Sequence, residues 1–317
     1  MLYPLKFKKI YKEKVWGGEK IKQLKKDKNI PSNCGECWEI SSLQGDVSII
    51  TNGFLKNTSL EEAIEIYMEE LVGDRIFEKF GIEFPLLIKI IEAKENLSIQ
   101  VHPDNLVAQK RHNAYGKSEL WFVLDAEPDA SIISGFKNDS NEKNFREALN
   151  NGNPEFLMNK EKVRRGDVFY IPAGRVHSLC AGTTVLEIQQ CSDITYRIYD
   201  YERNSRELHL DFAFDVIDYN RTTKIRTTYT KDINASNQII MDFAFTILYI
   251  PLVGKIEKSY YELDSCIIFF CLKGQCRIEY EEGYIILDEN ETILVPAVLK
   301  EITLISDTLC ELLEIYI

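Results

Sequence analysis

The stretch Leu97-Ser98-Ile99-Gln100-Val101-His102-Pro103-Asp104 constrains this chain most tightly. Its residues alternate with period two, so it reads as a strand. Leu97, Ile99 and Val101 go to one face, and Ser98, Gln100 and His102 go to the other. An amide and an imidazole two residues apart on one face offer two ligands about one pleat apart. Pro103 then ends the ladder, because it has no N–H to donate.

Two later segments complete that offer. Lys117 to Leu124 alternates again and puts Lys117, Glu119 and Trp121 on one face. Gly166 to His177 reads as a glycine turn, an apolar strand and a Pro-x-Gly-x-x-His bend. Together Gln100, His102, Glu119 and His177 form a nitrogen and oxygen ligand set without a thiolate. Such a set suits zinc, and also manganese, iron or nickel.

The formal net charge of the 317 residues is −12. That argues against general binding to nucleic acid or to an anionic membrane surface. An anionic ligand would need a locally basic pocket, so lysines and arginines near the ligand set carry information. The eight cysteines follow no apolar leader, since Met1 to Lys6 has no long apolar core, and no run reaches the roughly 18 to 20 residues of a membrane span. The expectation is reduced thiols in a cytoplasmic protein. Cys34-Gly35-Glu36-Cys37 is a lone pair of thiols, expected in a loop that leads into a strand at Trp38 to Ser41.

Along the chain, Val15-Trp16-Gly17-Gly18 suggests a tight turn that displays an aromatic ring or anchors packing. Residues 58–80 are expected to be helical, with a capping box at Ser59 to Glu62 and a possible division at Gly73. Lys89 interrupts an apolar strand, either as an edge lysine or as a ligand-binding cation. Residues 105–112 form a short helix or loop in which His112 is a solvated surface group, and His209 has no evident partner. Two short helices are expected at 141–151 and 154–160.

The run from Val185 to Arg197 alternates without glycine or proline. As one strand it would place Glu187, Asp193 and Arg197 on a single face. On that basis Glu187 is the candidate proton-shuttling base, and Asp193 is the group that orients Arg197. A composition change at 216–239 suggests a transition between a catalytic domain at 1–215 and a C-terminal domain of short strands at 240–317. Residues 165–173 are echoed by residues 289–297, but Glu301 stands where the first copy has His177. No histidine follows residue 209, so the second copy looks like the same architecture without its metal site.

Gly166 to His177 fits the second cupin motif. The first motif, altered here to Gln100-x-His102 with a delayed Glu119, resembles that of the type I mannose-6-phosphate isomerases in their short bacterial form. Lys117 to Trp121, the run from Glu187 to Arg197, Trp16 to Gly18 and Gly35 to Ser41 extend the resemblance over most of the first 210 residues.

The resemblance implies a mainly β fold: a cupin jelly-roll barrel carrying the metal site, a second degenerate cupin-like sandwich, and a few helices. It implies one Zn2+ per chain on Gln100, His102, Glu119 and His177, with Arg197 in the active site. Ser98, Lys117, Lys89, Arg203 and Trp16 would contact substrate. The implied reaction interconverts mannose 6-phosphate and fructose 6-phosphate by proton transfer through an enediolate, in a monomer or small homo-oligomer. The alternatives are a sugar-binding cupin without chemistry, a cupin acting on glucose 6-phosphate, or another metal-dependent cupin enzyme. Sites of that last kind usually want three histidines and a carboxylate, and only two histidines stand in the motifs here.

Overall fold

A computed structural model describes residues 1–25, 27–201, 203 and 205–317. It divides into two compact units that interleave along the chain. One comprises residues 11–38 and 86–227, and the other comprises residues 1–10, 39–85 and 228–317. These boundaries differ from a consecutive split at 215 and 239. Strands near both ends of the chain join the same unit, which a change in local composition does not reveal.

The first unit is a sandwich of two sheets. Its strands are β1 (Ile10–Gly18), β2 (Cys34–Ile40), β3 (Leu86–Ala93), β4 (Ile99–Val101), β5 (Glu119–Ala126), β6 (Ser131–Phe136), β7 (Met158–Lys162), β8 (Val168–Ile171), β9 (His177–Leu179), β10 (Thr183–Gln190) and β11 (Tyr196–Tyr199). The six-stranded sheet runs β1-β2-β3-β10-β5-β8, and the five-stranded sheet runs β11-β4-β9-β6-β7. They do not join into one hydrogen-bonded cylinder. Central strands β3 and β10 are buried at every position, including the charged Lys89 and Glu187. Edge strand β7 exposes or half-exposes Asn159 to Lys162, as an edge that must not recruit another strand should. Ile91, Trp121, Val123, Phe169 and Val185 from one sheet meet Ile132 and Leu179 from the other in a shared core.

The second unit holds β12 (Asn237–Met241), β13 (Thr246–Ser259), β14 (Ile267–Lys273), β15 (Gln275–Tyr280), β16 (Gly283–Asp288), β17 (Thr292–Val295) and β18 (Glu301–Tyr316). The order is β12-β13-β18-β14-β17, with β15 joining β16 to β18. Turns fall where expected, after Lys273 and after Tyr280, but β13 and β18 are long rather than short. Helices Leu60–Val72 and Asp74–Phe80 belong to this unit and are divided at Gly73, whose φ of 101° favours glycine. The Ser59–Glu62 capping box is formed in both directions. Among the described residues no helix is long and apolar enough to cross a membrane.

Three local expectations are corrected. Trp16-Gly17-Gly18 is the end of a strand rather than a turn. The glycine is there for close approach: a Cβ on Gly17 would lie 2.4 Å from the Asn33 carbonyl oxygen, and one on Gly35 would lie 2.7 Å from the Trp16 ring. Cys34 to Cys37 is strand, not loop, and both thiols are buried. The helix expected at 154–160 is one turn, Pro154–Leu157, after which the chain enters β7.

Candidate functional site

The rungs of the six-stranded sheet set one wall of the site. Glu187 on β10 lies directly across from Lys89 on β3 and from Trp121 on β5, and Gln189 lies across from Glu119. Residues opposite one another in a ladder share a face, so these side chains point together into the sandwich. The five-stranded sheet supplies the other wall, where Gln100 on β4 lies across from His177 on β9 and from Arg197 on β11.

His102, Glu119 and His177 meet between the walls, with ligand atoms within 4.8 Å of one another. All three are buried, Glu119 and His177 completely. Each imidazole is held by a backbone carbonyl: His102 Nδ1 donates to Ile194 O at 2.9 Å and His177 Nδ1 to Arg175 O at 2.8 Å. A carbonyl can only accept, so both protons sit on Nδ1 and both Nε2 atoms carry lone pairs. Those Nε2 atoms are each 3.4 Å from a different oxygen of Glu119. Among the described residues neither Glu119 oxygen, nor His102 Nε2, has a hydrogen-bond partner.

Buried acceptors without donors cost free energy unless a cation satisfies them. This donor set therefore fits a divalent metal ion, with the carbonyls in the outer shell that orients metal-bound histidines. Gln100 Nε2 is 3.2 Å from His177 Nε2. A half-turn of that amide would bring its oxygen to the same place as a fourth donor.

Electrostatics agree with a ligand role. Burial, with Lys117 nearby, pushes His102 down to about 3, and burial lowers His177, so both stay neutral. Burial would raise Glu119, but Lys117, with its ammonium 3.4 Å from Oε2, keeps the carboxyl well below the usual range. Neutral imidazoles and an ionised carboxylate are the forms that bind metal.

A cavity of about 270 Å³ reaches this cluster through Gln100 and Lys117. Trp16, Lys89, Ser98, Glu187, Asp193 and Arg197 also line it, so eight of the site residues expected from sequence share one cavity. Glu187 is buried and fixed at both oxygens. Trp121 Nε1 donates to Oε2 at 2.7 Å, and Lys89 Nζ pairs with Oε1 at 3.0 Å. Lys89 is thus central and buried rather than an edge lysine. Burial alone would lower its pKa, but Glu187 and Glu36 raise it. Ser98 Oγ donates to Gln100 Oε1 at 3.4 Å.

The reasoning from one continuous strand does not hold. The chain leaves the six-stranded sheet after Gln190 and enters the five-stranded sheet at Tyr196. Gln189 Nε2 donates to the carbonyls of Gln190 and Ser192, which stabilises the break without glycine or proline. Glu187 and Arg197 face the same cavity from different sheets. Asp193 is exposed at the cavity and, among the described residues, makes no ion pair with Arg197. Arg197 Nη1 donates instead to Glu207 O at 2.8 Å. Arg203 is not part of the cavity wall, and its Nη2 is engaged by Asn96 O and Asp200.

Sequence reasoning missed Glu36, Trp38, Lys14 and Arg206, which also line the cavity. Glu36 Oε2 accepts from Trp38 Nε1 at 2.8 Å, and Oε1 lies 3.2 Å from Lys14 Nζ. Burial opposes ionisation of Glu36, but Lys89 and Lys14 outweigh it and hold the carboxyl at about 2. Arg206 is gripped by both oxygens of buried Asp200. The alternation Glu36-x-Trp38 on β2 was the available signal for the first group, and Arg206 had none.

Residues 4–156 match the family model for the phosphomannose isomerase type I catalytic domain. A mannose-6-phosphate isomerase of Bacillus subtilis is 39% identical over 225 residues, 68% of each chain. That of Streptococcus mutans is 31% identical over 309 residues, covering 95% of this chain and 94% of the relative. A crystal structure of the mannose 6-phosphate isomerase from Bacillus subtilis superposes over 100% of both chains with a TM-score of 0.88 and 30% identity.

Proposed function

The chain belongs to the type I phosphomannose isomerases, and from that premise we propose that it interconverts mannose 6-phosphate and fructose 6-phosphate with one bound zinc ion. One observation carries the reading: two histidines locked in the same tautomer and a buried carboxylate without a hydrogen-bond donor converge at a cavity that gathers cations in a chain of net charge −12. His102, Glu119, His177 and Gln100 would hold the metal. Nitrogen and oxygen donors without thiolate, in a closed and buried set, are ones that zinc accepts. When bound, the ion supplies Lewis-acid stabilisation of oxygen charge that develops as a carbon-bound proton leaves.

The chain's own groups do the rest. Glu187 takes the proton from the carbon beside the carbonyl and returns it to the neighbouring carbon. Lys89 and Trp121 hold its oxygens still while it does so. Arg197 holds negative charge on the sugar oxygens of the enediolate. Lys117 and Ser98, with Lys89 nearby, receive the phosphate, and Trp16 gives the sugar an apolar side. The eight thiols, all buried and unbridged, suit a reducing cytoplasm. The strands after residue 240 contribute support rather than chemistry, since among the described residues they hold no cluster of three metal donors.

The test is metal analysis paired with a coupled assay of fructose 6-phosphate formation from mannose 6-phosphate, before and after chelation. We expect about one zinc per chain, loss of turnover on chelation and recovery with Zn2+. Unchanged turnover in metal-free protein overturns the reading. Recovery by another metal alone overturns only the zinc assignment. Glucose 6-phosphate in the same assay tests the choice of sugar.

A further inference from the structure

Strand β11 is only four residues long and lies at the edge of its sheet, with β4 on one side. On its other side lies the segment around His209. Arg197 N–H donates to His209 Nδ1 at 3.2 Å, and His209 N–H donates to Arg197 O at 2.8 Å. Arg197 Nη1 donates to Glu207 O at 2.8 Å. Both main-chain polar groups of Arg197 therefore point away from β4. The Arg197–Gln100 rung is then the non-hydrogen-bonded kind, in which side chains stand closest.

Among the described residues no carboxylate pairs with the Arg197 guanidinium, whose Nε is buried without a partner. Burial and the charges of Arg206 and Arg203 work against its cation and outweigh the favourable charge of Asp200. Something must hold it at the cavity wall, and the contacts that do so come from residues 207 and 209.

We propose that His209 is a positioning residue for Arg197: its Nδ1 stands in for a neighbouring strand, closing the edge of β11 so that Arg197 is presented beside Gln100. The role rests on the assignment of Arg197 given above. An N–H faces Nδ1, so that nitrogen keeps a lone pair and the ring proton sits on Nε2. Asparagine places an acceptor oxygen at the position of Nδ1, whereas alanine leaves the N–H without it.

The experiment is a cycle of purified, zinc-loaded His209→Ala, His209→Asn, Arg197→Ala and the Ala/Ala double variant, with kcat, KM and melting temperature measured for each. A net hydrogen bond of typical strength corresponds to about a tenfold effect. We expect His209→Ala to lower kcat about tenfold with KM within about twofold. His209→Asn should stay within about twofold of the parent, and His209→Ala should add nothing once Arg197 is alanine. Additive losses in the double variant, or an asparagine variant as impaired as the alanine one, overturn the inference and leave Arg197's own role standing. Full turnover in Arg197→Ala overturns both. The asparagine variant keeps the test decisive should His209→Ala fail to fold.

Discussion

Two sheets in this molecule repeat one arrangement, β10-β5-β8 in one unit and β18-β14-β17 in the other, yet among the described residues only the first unit gathers three metal donors. The match extends to individual bonds. Gly166 and Asn290 both take positive φ. Gly166 N donates to Val123 O, and Asp167 O accepts from Val123 N. In the same way Asn290 N donates to Cys271 O, and Glu291 O accepts from Cys271 N. The registers then align residue for residue. Glu119 lies across from Ile171, the residue before Pro172, and Ile267 lies across from Val295, the residue before Pro296. Glu187 lies across from Trp121, and Glu314 across from Phe269.

Within these three strands the registers coincide, and the metal donors differ by side chain. Ile267 stands where Glu119 would be, and exposed Glu301 stands where His177 would be. A buried carboxylate survives in both. Glu187 is held by Lys89 and Trp121, and Glu314 by Lys258 Nζ at 2.7 Å and Tyr260 OH at 2.6 Å. The backbone arrangement does not depend on the metal donors, and the donors can be lost without losing the sheet.

That comparison is sharpest at Glu119. Glu119→Ile gives the first copy the second copy's residue, and we expect turnover to fall by about 10³-fold or more with the loss of bound metal. Far-ultraviolet circular dichroism should be unchanged, and unfolding of the variant would break the equivalence. Next come the paired carboxylates. Glu187→Gln should lower kcat by about 10² to 10⁴-fold, the range of general base catalysis, with metal content intact. Glu314→Gln should leave kcat alone and cost about 2 kcal/mol of stability in denaturant titration, since it removes a charged partner from Lys258. Equal effects on kcat would mean that the two carboxylates do not differ in role.

A smaller effect concerns acid. Glu36 sits at about 2 when folded and near its ordinary value of 4.5 when unfolded. Its contribution to stability is then full above about pH 4.5 and is lost as pH falls toward 2. Melting temperature should drop through that window, and Glu36→Gln should flatten the drop. The smallest expected effect is Ser59→Ala, which removes the capping box from the metal-free unit. It should cost about 1 kcal/mol and leave turnover unchanged.

The meeting of His102, Glu119 and His177 was legible because each stands in an alternating or glycine-punctuated segment whose face follows from period two. The same periodicity misled at Val185 to Arg197, where side chain to backbone bonds from Gln189 turn the chain without a breaker residue. Trp16-Gly17-Gly18 misled for another reason, since glycine serves close approach as readily as turning. Arg206, Asp200 and the ties from His209 to Arg197 were out of reach, because a loop's partners are fixed by tertiary placement rather than by local pattern. The unit boundaries were hidden in the same way, in pairings between distant segments.

Those pairings bear on synthesis. Leu5 exchanges backbone bonds with Leu294 at 2.7 and 3.0 Å, and Lys6 reaches Glu291 across 285 positions of chain. On a ribosome Phe7 and Lys8 can pair early with residues 49 and 50, but Leu5 must wait for residues 291–294, so the unit that contains it is completed late. While it waits, the nascent chain leaves open the edge that Leu294 will fill, and that interval is when a chaperone has most to protect.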